Sequence, residues 1–144
     1  MLVGAIETFE DFTGQDLRYR YFTDEDLSFA VFTRAKLKHA KFIRAKLTVS
    51  NFNYADLRNA NLKNADLSAG STLKYAILSR ANLSGADLRG ANLRGANLKG
   101  ANLTDADLRG AILRGANLSG ATILGTKFQG ALTYNTICPN GNRC

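Results

Sequence analysis

Residues 81 to 100 read ANLSG ADLRG ANLRG ANLKG, with Leu83, Leu88, Leu93 and Leu98 in the third place of each block. Outward from this stretch a large apolar residue keeps the same step. One run goes from Phe12 to Leu67 and a second from Leu73 to Phe128, and alanine usually stands two places before each centre. A period of five matches neither the 3.6 of a helix nor the 2.0 of a strand, so either element would scatter these side chains around its surface. The chain must turn at every repeat. If each repeat is one side of a square, the centre and the small residue two before it point inward and the other three point out. Four repeats make a coil of about twenty residues, and coils stack as parallel strands about 4.8 Å apart. The centres then fill about six coils, a rod of roughly 25 to 30 Å.

Blocks such as AKLKH, ADLRN, ANLKG and ADLRG follow an A-(N/D)-L-x-x pattern that resembles the pentapeptide-repeat family from about Glu10 to Gly130. The resemblance implies an all-β fold, a right-handed parallel quadrilateral β-helix. The chain divides into a cap over residues 1–9, the repeats over 10–130 and a tail over 131–144. Phe12, Phe22, Phe32, Phe42 and Phe52 alternate with leucines, which places aromatics on two opposite sides of the square. Leu83 and Leu103 continue the inner column, and Phe128 is expected to plug the far end. Between Leu67 and Leu73 the step is six, and the extra residue lies in 68–71, read as a one-residue bulge. In the second run glycine stands two places after most centres, whereas the first run has only Gly14 there. That predicts type II-like corners in the second run and a different turn in the first. In the first coil Glu10, Gln15, Arg20 and Glu25 take the small inward place; such groups belong at a solvent-facing end, with residues 1–9 and Phe9 covering part of it.

The net charge of +7 is uneven: residues 1–30 carry seven acids and two bases, while the rest carry seventeen bases and five acids. The basic run from Arg34 to Lys46 invites a nucleic-acid reading. Coil stacking offers another, because residues twenty apart become neighbours: Asp16, Lys36 and Asp56 in one ladder, Asp26, Lys46 and Asp66 in another, and Asp24 beside Arg44. Lys74, Arg94 and Arg114 align on one side, with Arg89 and Arg109 on the adjoining side next to Asp87 and Asp107. This edge is the candidate contact for an acidic partner, protein or polyanion. The stretch Arg18-Tyr19-Arg20-Tyr21 is a weaker candidate for stacking on bases. Some pentapeptide-repeat proteins resemble duplex DNA in shape and negative charge and so bind type II topoisomerases. A chain acidic only over its first coil does not suit that role.

Catalysis needs a base, nucleophile or metal brought together, and no Walker, GxSxG or zinc spacing occurs. His39, the single histidine, falls on an outer position and reads as a solvated side chain. The expectation is a non-enzymatic interaction module without cofactor or metal, with an unidentified protein partner, monomeric or dimerised end to end. Cys138 and Cys144 bracket Pro139-Asn140-Gly141, which favours a tight reversal; a disulfide clasp is the leading reading against free thiols. The tail TICPNGNRC resembles the Cys-bracketed ends of pentapeptide-repeat proteins exported to the cyanobacterial periplasm or thylakoid lumen, or to the chloroplast lumen. No stretch approaches the roughly 20 apolar residues of a membrane span, and the start MLVGAIETFEDF lacks signal-peptide features. Either the protein is cytoplasmic or this chain is a mature form whose leader has been removed.

Overall fold

The computed structural model describes residues 9–144; the greater part of the expected N-terminal cap lies outside the described residues. Single parallel bridges link each outer residue before a centre to the equivalent residue one coil on. Four interleaved series run along the chain, beginning Asp11 to Val31, Asp16 to Lys36, Tyr21 to Lys41 and Asp26 to Lys46. A chain that pairs in this way on four series is a four-sided parallel coil, and each side is a strand too short to stand alone.

Inside, the alanines and the large centres fill the core. From Ala30 to Ala116 almost all of them are sealed from solvent, and burial loosens toward the ends, to 7% exposure at Leu17 and, past Ala121, to 38% at Ile123. Phe12, Phe32 and Phe52 stack with near-parallel planes, centroids 4.8 and 4.6 Å apart. Phe22 and Phe42 form the opposing stack at 4.8 Å, and the two columns meet edge to face at 5.6 to 5.9 Å. Both geometries suit the ring quadrupole. Leu83 and Leu103 continue the column fully buried, and Phe12 and Phe128 pack against it partly buried.

Except at the bulge after Leu67, the corners are hydrogen-bonded turns, the centre's carbonyl accepting from the amide three residues on, as in Ala96 N to Leu93 O at 3.0 Å. The Asp or Asn before the centre caps the same corner. Its side-chain oxygen accepts from the amide two residues later, at 3.2 Å from Asn92 to Arg94 and 3.0 Å from Asn102 to Thr104. This explains the recurrent Asn and Asp without any catalytic role.

Two expectations need correction. The corners of the first run do not avoid positive φ for want of glycine: Tyr19, Asp24, Arg34, Arg44, Val49 and Tyr54 adopt φ between 55° and 63°, beside 66° to 68° at Gly85, Gly90, Gly95 and Gly100. All share the positive φ that a type II-like turn needs at its third position. Nor do the repeats stop at 130. The ladders continue through Ile112 to Leu132 and Asn117 to Ile137, so Thr133 and Cys138 occupy the places of centres.

The bulge shifts the pairing from twenty to twenty-one residues, Asn51 with Thr72 and Asp56 with Ile77. It has a polar seal. Ser50 and Ser71 are buried; the Ser50 hydroxyl donates to Leu47 O at 2.6 Å. That of Ser71 has Leu47 O at 2.8 Å and Ser68 O at 3.1 Å within reach.

Candidate interaction surface

With the interior sealed, the chemistry of this chain lies on its outer ladders. The predicted first-coil residues Glu10, Gln15, Arg20 and Glu25 are exposed, as their charge requires. Phe9 is 53% exposed and rests on Phe29 with centroids 5.0 Å apart.

The basic run from Arg34 to Lys46 is largely engaged with the coils on either side. The Asp24 carboxylate accepts two bonds from Arg44, both at 2.7 Å, and Lys46 pairs with Asp26 at 3.1 Å. Lys41 Nζ lies 4.5 Å from the Tyr21 ring centre, and Arg34 lies over Tyr54 at 5.6 Å. One predicted ladder pairs differently. Asp16, Lys36 and Asp56 are in register, but Asp16 binds Arg18 and Asp56 binds Arg58 on their own strands. Arginine two residues on reaches the carboxylate bidentately, a geometry lysine one coil away cannot match. His39 is half-buried and stacks on Tyr19 at 4.9 Å, which takes one face of that ring, while Tyr19 and Tyr21 both stay exposed.

The five cations of the predicted edge fall into two classes. Arg89 and Arg109 bind Asp87 and Asp107 through their Nη2 atoms at 2.6 Å each. The Arg109 hydrogen bond holds the Asp107 carboxyl at a pKa of about 2, and Arg89 likewise lowers that of Asp87. Lys74, Arg94 and Arg114 follow one another along a single corner, joined by Tyr75 N to Arg94 O and Gly95 N to Arg114 O, both 2.9 Å. Among the described residues none of these three pairs with a carboxylate.

Sequence reasoning missed the relief of this surface. Arg94 and Arg114 wall a cleft of about 420 Å³ with Gly95 and Gly115 as its floor and Tyr75 and Tyr134 at its ends. On the next corner a second cleft of about 540 Å³ has Gly100 and Gly120 below Arg80 and Lys99. The signal was the glycine step itself: where no side chain leaves the corner, its neighbours become walls.

At the C-terminal end Cys138 and Cys144 form a disulfide with Cα atoms 5.3 Å apart. Arg143 pairs antiparallel with Ile137, while Cys144 N donates to Thr136 O at 2.9 Å and Cys138 N to Asn142 O at 2.7 Å. The hairpin thus satisfies, on this one side, the backbone groups that a further coil would have taken. Among the described residues no three His, Cys, Asp or Glu side chains come together as a metal site, and no helix is long and apolar enough to cross a membrane.

The pentapeptide repeats family model matches residues 11–48, 30–68, 69–105 and 96–132. The chain belongs to the pentapeptide-repeat family. With membership goes the right-handed sense of the coil. Among solved structures, it is 33% identical to the pentapeptide repeat protein Rfr23 of the cyanobacterium Cyanothece 51142, covering 88% of this chain and 89% of that one with a TM-score of 0.50. It is 25% identical to a trypsin-treated form of QnrB1, a plasmid-mediated fluoroquinolone resistance protein, over 90% of this chain and 67% of that one, with a TM-score of 0.71. A pentapeptide repeat protein of the Arabidopsis thaliana thylakoid lumen is 33% identical over 76% of this chain and 66% of that one, with a TM-score of 0.37. No curated protein matches the chain.

Proposed function

We propose that the protein is a non-enzymatic, quadrilateral rod of about six coils whose outer ladders hold a protein partner. The observation that carries this reading is the sealed interior: alanine, leucine and phenylalanine fill the square from side to side over most of its length, which leaves surface ladders, shallow corner clefts and a small apolar cavity of about 190 Å³ at the C-terminal end, among Leu118, Ile123, Phe128 and Cys138. A rigid rod with side chains repeated every 4.8 Å or so is suited to recognition over an extended face. The QnrB1 likeness concerns the fold; the excess of bases beyond the first coil argues against a DNA-like surface.

The disulfide supports residence in an oxidising compartment, a periplasm or thylakoid lumen, over the cytoplasm. Blocking free thiols before intact-mass measurement of protein from its native host tests this: an unlabelled chain is expected, and two labelled thiols would place it in a reducing compartment. The interaction reading is tested by photo-crosslinkers at Asn61, Asn97 and Asn117 in the native host. Discrete protein adducts of defined mass from at least one position are expected. Adducts to nucleic acid, or none above those of an unfolded control, would remove it.

A further inference from the structure

We propose that the cleft between Tyr75 and Tyr134 receives an aromatic side chain from an acidic segment of a partner protein, its ring stacked beyond Tyr75 and its flanking carboxylates held by Arg94 and Arg114. This rests on the protein-interaction reading above.

The first observation is an unfinished stack. Along one corner the Arg34 guanidinium lies 5.6 Å from the Tyr54 ring centre, and Tyr54 lies 5.3 Å from Tyr75 with planes 16° apart. Tyr54 and Tyr75 are both exposed. The next two corner residues are Gly95 and Gly115, so the column of side chains breaks off. The Tyr75 ring leans over Gly95, where an added Cβ would fall among its atoms. Stacked rings prefer centroids about 4.5–7 Å apart and coils rise about 4.8 Å. The Tyr75 ring already covers Gly95, so a further ring placed one step beyond it enters the open space above Gly115, with Arg94 and Arg114 lining the same cleft.

Charge is the second observation. Residues 71–144 hold nine bases and three acids, Asp87, Asp105 and Asp107. Asp87 and Asp107 are bound by Arg89 and Arg109, and the bridge series places all three acids on the other two sides of the square. The corner bearing Lys74, Arg94 and Arg114 and the neighbouring one bearing Arg80 and Lys99 have no carboxylate between them. Two guanidiniums one coil apart, without a partner, fit carboxylates bidentately.

A nucleic-acid strand is the poorer occupant. Three cations on one corner span two coil steps, about 10 Å, and two rings, Tyr75 and Tyr134, line the cleft at its opposite ends, whereas single-strand sites cover about 4 nucleotides or more with a ring for successive bases.

The chain has no tryptophan, so a peptide Glu-Glu-Trp-Glu-Glu can be followed by its own fluorescence against the full-length protein. Saturable binding that weakens with salt is expected. Arg94→Gln with Arg114→Gln should weaken it at least fivefold, as should Tyr75→Gly, whose corner already suits glycine. Arg89→Gln with Arg109→Gln should change it less than twofold, and replacing the peptide's Trp by Ala should abolish competition. No binding at millimolar peptide, equal loss from both arginine pairs, indifference to Tyr75→Gly, or tighter binding of an oligothymidylate would each overturn the proposal. Native cross-links that persist at Asn61 while the peptide fails would remove this cleft and leave the interaction reading standing.

Discussion

The coils before the bulge and those after it share one backbone and differ in what leaves their corners. Before it, Tyr19, Asp24, Arg34, Arg44, Val49 and Tyr54 hold a positive φ, a conformation that costs an L-residue roughly 1–2 kcal/mol. In return they make contacts between coils: Asp24 with Arg44 at 2.7 Å, Tyr19 with His39 at 4.9 Å, Arg34 with Tyr54 at 5.6 Å. After the bulge most corners are glycine, relaxed and bare; the cleft between Tyr75 and Tyr134 opens there, and the larger one runs across the bulge from Lys38 and Arg58 to Gly120. The same position therefore decides between a surface closed by ladders and one left open to a partner.

The core offers the largest test of that contrast. Phe32 is fully buried and touches the rings of Phe12, Phe22, Phe42 and Phe52, whereas Leu93 occupies the same inner column after the bulge among leucines. Phe32→Ala is expected to cost about 3–5 kcal/mol and Leu93→Ala about 2–5 kcal/mol, toward the lower end. Urea unfolding of both variants measures the difference. Equal losses would mean that the two aromatic stacks contribute nothing beyond their volume, and that the halves differ only at the surface.

Most of the architecture was legible because the five-residue step admits few shapes. The inward Ala and Leu, the paired phenylalanine columns, the bulge and the Asp24–Arg44 neighbourhood all follow from it. The first-run corners were not legible, since Tyr, Arg and Val carry no local preference for positive φ; the turn is imposed by the coils stacked on either side. The last repeats escaped notice because Thr133 and Cys138 replace the large apolar centre. As for the candidate edge, the alignment of Lys74, Arg94 and Arg114 could be read from their spacing. The cleft between them could not, because it is made by absent side chains at Gly95 and Gly115 and by the lean of Tyr75.

Corner exchanges probe the contrast more finely. Val49 is β-branched, holds φ of 59° and is 43% exposed. Val49→Gly relieves about 1–2 kcal/mol of backbone strain and concedes about 0.4–1 kcal/mol to the freer unfolded chain. A net gain of about 0.5–1 kcal/mol is expected in thermal and urea unfolding. Tyr54→Gly should gain nothing, because it also removes the stack on Tyr75 and the contact with Arg34. The converse change, Gly115→Ala at φ of 68°, meets open space and should still lose about 1 kcal/mol from backbone alone. If Val49→Gly destabilises, the first-run corners are not strained and the trade described above does not exist.

The smallest expected effect separates the two kinds of ion pair. Pairs that join different coils, Asp24–Arg44 and Asp26–Lys46, lie before the bulge; pairs within single strands lie on both sides of it, Asp16–Arg18 and Asp56–Arg58 before and Asp87–Arg89 and Asp107–Arg109 after. Hydrogen bonds from these partners lower the pKa of Asp24, Asp87 and Asp107, and a hydrogen bond from Ser28, joined by Lys46, lowers that of Asp26. A carboxylate lowered in the folded state contributes stability that is fully present above its unfolded pKa, near 4, and is lost as pH falls through the folded value. For Asp107 that window runs from its ordinary 3.8 down to about 2. Stability should be level from neutral pH to about 5 and decline below about 4, by less than the corner exchanges because the guanidiniums are half exposed and screened. A residue paired only two places along its own strand retains part of that attraction when unfolded, so Arg44→Gln should flatten the acid limb more than Arg109→Gln. Carbon-detected titration of Asp24 and Asp107 should show both midpoints rising in the respective variants. If Arg109→Gln flattens the limb as much as Arg44→Gln does, the pairs within a strand stabilise the fold as much as those that join coils.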